Sequence, residues 1–195
     1  MSPPLSGILK TRMRNSTTDL VHPQEPPRER RRLSWSSVRF PVLFLLFSLA
    51  LMFLVSGPLS GAIQPRLCRL VASHSAFLLR LLGEEATCDG LTVISPRHAY
   101  QVIYACTSLP ATILLVSAIL AFPARALRKL AGIAAGVSIL YVVNLLRLVS
   151  LYYVFLHWPG IYDRIHISVW QAALVVIALV DFILWARRSP GRRPE

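Results

Sequence analysis

The 195 residues predict an all-α membrane protein: a bundle of about four transmembrane helices, with an amphipathic helix and a small extracytoplasmic hairpin insert. Three observations lead there. Hydrophobic residues make up 54% of the chain and charged residues only 15%, against about 25% charged in an ordinary soluble domain. The apolar residues fall in four runs of roughly 18 to 22 residues, the helix length that crosses about 30 Å of hydrocarbon. The 21 basic residues, behind a net charge of +12, gather at the ends of these runs, with eight in 1–39, three in 125–129 and four in 187–193. A nucleic-acid binder would carry its basic residues as an aromatic-interleaved stripe on a soluble module, so no nucleic-acid partner is expected.

Residues 1–39 contain Pro3, Pro4, Pro23, Pro26, Pro27 and the run Arg28-Glu29-Arg30-Arg31-Arg32, with no periodic apolar pattern. They read as a disordered basic tail. The apolar run behind them lacks a clear A-x-A cleavage site and reads as a retained anchor. The first span is then Phe40 to about Leu59, with Pro41 in its first turn, where a missing N–H is tolerated. In 62–82, Arg66, Arg69, His74 and Arg80 interrupt the apolar pattern, and each arginine at a bilayer centre costs about 3 kcal/mol. Leu67, Leu70, Val71, Phe77, Leu78 and Leu81 recur at helical spacing, which fits an interfacial amphipathic helix better than a span.

After Gly83 the chain turns polar. Leu91–Ile94 and Ala99–Tyr104, set about Ser95-Pro96-Arg97-His98, predict a small hairpin outside the bilayer. The second span is expected over about Ile103–Phe122, closed by Pro123 and the basic loop at 125–129. The third is expected over about Leu130–Leu151, and the fourth over about His166–Trp185 after a polar and aromatic link, 152–165. The transmembrane domain therefore covers 40–186 and a second basic tail covers 187–195. Basic flanks are held in the cytoplasm, which puts both termini and the 125–129 loop inside, and the insert and the 152–165 link outside. Asp181, near the inner end of the fourth span, is expected to snorkel or to pair with the arginines behind it.

This topology brings Cys106, Arg147 and His166 to the outer face from three successive spans. A thiol and an imidazole are the minimum for nucleophilic catalysis on a carbonyl, because the imidazole takes and returns the proton. A guanidinium stabilises the developing oxyanion or holds a carboxylate. Asn144 precedes Arg147 by three residues and shares its helix face, where it can orient the arginine or the substrate. Cys68 and Cys88 have no basic residue aligned with them and are given no catalytic role. A metal site made of Cys106, His166 and His98 lacks an evident fourth ligand, so neither a metal nor a cofactor is expected. The reading from another class is a non-catalytic membrane accessory subunit of an export or polysaccharide-assembly system.

The runs Tyr104-Ala-Cys106-Thr-Ser, Ala121-Phe-Pro-Ala-Arg125, Asn144-Leu-Leu-Arg147-Leu and Asp163-Arg-Ile-His166-Ile-Ser-Val-Trp170-Gln171 together resemble the exosortase and archaeosortase family over about residues 83–186. The compact size and the His-x-x-x-Trp-Gln end look most like its short exosortase H type. The resemblance implies a membrane-embedded cysteine protease or transpeptidase at the outer face of a bacterial inner membrane. Its partners would be membrane-anchored exported proteins with a C-terminal sorting signal: a short motif, a transmembrane helix and a basic cluster. It further implies Cys106 as nucleophile, His166 as general base or acid and Arg147 as transition-state stabiliser. Many members carry a glycine just after the nucleophile region, where this chain has Thr107 and Ser108.

Overall fold

The computed structural model describes residues 35–189. The expected N-terminal tail lies outside the described residues up to Ser34, and 190–195 lie outside them too. The chain runs α1 (Trp35–Ser56), α2 (Ser60–Leu81), β1 (Thr87–Asp89), β2 (Thr92–Ile94), β3 (Ala99–Gln101), a 3-10 turn (Tyr104–Cys106), α3 (Leu109–Ala121) and α4 (Ala126–His157). A final helical stretch then passes through a second 3-10 turn (Pro159–Ile161), α5 (Tyr162–Arg164), a π-helical segment (Ile165–Val169) and α6 (Trp170–Arg188).

Among the described residues three helices are long and apolar enough to cross a membrane: 38–56 in α1, all of α4, and the stretch 159–188 that ends in α6. The fold is an all-α membrane bundle with a small β insert, and the large apolar residues left on its outside suit contact with lipid. Leu45, Leu46, Leu49 and Phe53 of α1 are exposed, as are Val142 and Leu146 of α4 and Val176 and Leu179 of α6. The expected second span is different. Its helix, α3, has 13 residues, about 20 Å at 1.5 Å per residue, short of a full crossing. Ile103–Ser108 are spent on the 3-10 turn and its extended exit, and α3 is covered by α1, α4 and α6.

Other boundaries shift for physical reasons. Helix α1 begins at Trp35, so Pro41 lies inside the helix and not in its first turn. Helix α4 starts within the basic loop at Ala126 and continues to His157, consuming part of the expected link. Its C-terminal turns persist because Leu148, Val149 and Tyr152 pack on the insert and α2. At 32 residues it is about 48 Å long, enough to serve two cores. Its N-terminal half packs through Leu140 on Ala111, Leu115 and Ile119 of α3 and on Leu174 and Ala178 of α6. Its C-terminal half joins Cys68, Val71, Ala72, Ala76 and Leu79 of α2 and Ala86, Val93 and Val102 of the insert.

The helix expected over 62–82 is α2, but its buried face is not the one the large residues suggest. Cys68, Val71, Ala72, Ser75, Ala76 and Leu79 are buried, whereas Leu70, Phe77 and Leu81 are exposed. Small residues win the inner face because they let the insert and α4 approach closely. The insert is a three-stranded antiparallel meander, order β1-β2-β3, with Val93 opposite both Cys88 and Tyr100. The β2–β3 hairpin follows the sequence pattern; β1 adds a strand. Its turn is Gly90-Leu91, with Gly90 at φ 60°, the left-handed conformation that a two-residue hairpin needs at its first central position.

Candidate active site

Cys106 ends the 3-10 turn that precedes α3, and does not lie in the first turn of a long span as the sequence pattern predicts. The turn is closed by Cys106 N–H to the Ile103 carbonyl at 2.8 Å and by Thr107 N–H to the Tyr104 carbonyl at 3.1 Å. The Thr107 hydroxyl donates to the same Tyr104 carbonyl at 2.7 Å. From α4, the Asn144 side-chain amide donates to the Cys106 carbonyl at 3.0 Å. Backbone and side chains therefore fix the peptide that carries the half-exposed thiol.

Asn144 and Arg147 lie one turn apart on α4, at 0% and 2% exposure. Among the described residues four buried side-chain polar atoms have no hydrogen-bond partner, and three belong to this pair: Asn144 Oδ1, Arg147 Nε and Arg147 Nη1. An unpaired buried donor is costly, so their concentration beside Cys106, within electrostatic reach of its sulfur, marks a place that receives a polar group.

His166 lies in the π-helical segment, with its ring stacked on Tyr162 at a centroid distance of 5.5 Å. A single π-turn inside a longer helix re-aims side chains and is common at functional sites. Cys106 and His166 line one recess of about 40 Å³, together with His98, Tyr100 and Gln101 of the insert and Leu148, Leu151, Tyr152, Phe155 and Tyr162. Arg147 does not line the recess but is buried within electrostatic reach of Cys106 and His166. Cys106 and His166 therefore share one recess, with Arg147 close to both and Asn144 anchoring the turn that carries Cys106.

The recess is roofed by the insert, which is pinned to α4. Buried Glu84 pairs with Arg97 and accepts the Tyr152 hydroxyl proton at 3.1 Å. The 2.6 Å bond between Ser95 Oγ and Tyr152 then runs from serine to tyrosine. On the other side Tyr100 shares a 2.5 Å bond with Ser75 of α2. Burial pushes the Tyr100 phenol up to about 12 against the opposing effect of that bond, so it is neutral at pH 7.

A family model described as transmembrane exosortase matches residues 32–180. The chain belongs to the transmembrane exosortase family. No curated protein and no solved structure matches it. The match reaches further toward the N-terminus than the motif resemblance over 83–186, so α1 and α2 are part of the exosortase unit.

Within this exosortase chain, Thr107 has a visible structural use, since it closes the turn that a glycine would leave looser. Cys68, given no role from sequence, is buried in the cluster on which Cys106 packs. Asp181 does not pair with Arg187 or Arg188. Its carboxylate lies against Gly136 of α4, and Arg97–Glu84 is the one ion pair among the described residues. Although Cys106, His166 and His98 share a recess, no group of three or more metal-ligating side chains converges among the described residues. The wall residues Tyr100 and Phe155 were missed by sequence reasoning, and His98 was weighed there only as a metal ligand. One signal for α4 was available: Asn144, Leu148, Leu151, Tyr152 and Phe155 follow a three-and-four spacing that continues the Asn144–Arg147 face.

Proposed function

We propose that this chain is a membrane-embedded thiol protease or transpeptidase that cleaves the C-terminal sorting signal of exported proteins at the outer face of the inner membrane. The observation that carries the reading is the shared recess of Cys106 and His166, with the unpartnered guanidinium of Arg147 buried beside the thiol. His166 takes the thiol proton, and Cys106 Sγ attacks the scissile carbonyl. Arg147 holds the developing oxyanion from a dry position, where such a contact is strongest. The carbon–nitrogen bond then breaks, the leaving amine takes the proton from His166, and the exported protein remains as a thioester on Cys106. Water or an amine acceptor resolves it. A substrate's C-terminal helix docks laterally against the exposed apolar faces, with its basic tail in the cytoplasm, so binding does not need a deep pocket.

The test is the intact mass of a co-expressed exported protein carrying a C-terminal apolar helix and a basic tail. Wild type and Cys106→Ala are compared at equal membrane levels. Loss of the tail with wild type alone supports the reading, and added mass on the new carboxyl end identifies transfer. Equal cleavage by both would sink the thiol mechanism and favour the accessory-subunit reading.

A further inference from the structure

The recess has a second imidazole that the acylation step does not use. His98 comes from the turn between β2 and β3 and lies flat on Phe155 of α4, with ring centroids 3.8 Å apart and planes 22° apart. Tyr100 and Tyr152 flank it at 6.3 and 6.4 Å. Its backbone is fixed as well: the His98 carbonyl accepts from Ser95 N–H at 3.1 Å, and its N–H donates to Ser95 Oγ at 3.4 Å. Through Ser95, Tyr152 and Glu84 this turn is tied to α4, so His98 is held in the recess wall against α4 and is not on a free loop tip. Burial pushes its imidazole below the ordinary histidine value, so it is neutral at pH 7 and able to accept a proton.

We infer that His98 is the base of the second half-reaction, taking the proton of the acceptor that resolves the Cys106 thioester. This rests on the thioester reading above. The acceptor is water or a primary amine entering beneath the insert. Its oxygen or nitrogen bonds to the acyl carbon as its proton passes to His98. The carbon–sulfur bond breaks, and Cys106 leaves as a thiolate that recovers the proton from His98. Two imidazoles on different elements divide the work: His166, on the bundle, serves the leaving amine, and His98, on the insert, serves the incoming acceptor.

The experiment uses the full-length protein in detergent, acetylated with p-nitrophenyl acetate, and follows acetyl-Cys106 by intact mass and peptide mapping, in water and with glycinamide as acceptor. His98→Gln is expected to slow loss of the acetyl group on the order of 100-fold, far more than it alters the rate of acetylation. Free imidazole is expected to restore deacetylation in His98→Ala, as it does for a missing base and not for a missing wall. Unchanged deacetylation in His98→Gln overturns the inference and leaves the thiol reading standing. Slowing of both steps, with no rescue by imidazole, overturns it in favour of a packing role. Failure of wild-type Cys106 to acetylate faster than exposed Cys88 removes the thiol reading, and this inference with it.

Discussion

Asn144 spends its side-chain amide on the Cys106 carbonyl from a fully buried position, so its first effect is on where the thiol sits. Asn144→Ala removes that bond and leaves the carbonyl unanswered, at a cost of about 1 to 3 kcal/mol. Substrate cleavage should fall about tenfold or more, with the rate of Cys106 alkylation by a small haloacetamide changing too. A residue that only touched substrate would leave alkylation alone. The sequence placed Asn144 beside Arg147, but its bond to a residue 38 positions away depends on how a turn packs on a helix. His98 gives a pH dependence. Its folded-state value is lowered by burial, so the unfolded insert binds more protons between that value and about 6.5. The contribution of His98 to docking of the insert is therefore fully present above about pH 6.5 and is lost as pH falls through the lower, folded-state value. The charged groups beside the turn, Arg97 and Glu84, are paired with each other. Protection factors of the insert amides, corrected for the intrinsic pH dependence of exchange, should fall between pH 7.5 and 5 in wild type, and less so in His98→Gln.

Helix α4 decides how the elements meet. Its N-terminal half carries Gly132 and Gly136, where an added Cβ would run into Trp185 and into Asp181 and Leu115 respectively. Trp185 also donates to the Arg128 carbonyl at 3.1 Å, so α6 is seated on α4 by close backbone approach and one hydrogen bond. Gly136→Val should lower the thermal midpoint in detergent, an overpacking cost of about 1 to 3 kcal/mol, with Ser138→Val on the exposed face as control. An unchanged midpoint for Gly136→Val would mean that α4 and α6 do not pack as described. Periodicity marked α4 as a span, because Leu, Val and Ile dominate it. It did not show that the helix runs on to His157, since those turns are stabilised by partners distant in sequence. Helix α2 fails in the opposite way: its large apolar residues suggested the buried face, but close packing favoured Cys68, Ala72, Ser75 and Ala76.

Over the whole molecule, the site lies where the two cores meet along α4, with the lipid-facing bundle on one side and the pinned insert on the other. The distribution of basic residues predicts that this end faces away from the cytoplasm. A single cysteine placed at exposed Asp89 beside the insert turn should react with a membrane-impermeant maleimide in intact spheroplasts, with native Cys68, Cys88 and Cys106 replaced by serine. One placed at Ala126 should react only after permeabilisation. The reverse pattern would put the thiol on the wrong face for exported substrates.

The sequence by itself determined that this is a helical membrane protein and where its long apolar helices lie, and it singled out Cys106, Arg147 and His166, because hydropathy and a motif in fixed order are local properties of the chain. Only the tertiary structure decided that α3 is short, that His166 lies in a π-turn, that Asn144 bonds the Cys106 carbonyl and that His98 shares the recess. Each of those depends on packing between segments far apart in the chain, where close approach and hydrogen-bond geometry outweigh local preference.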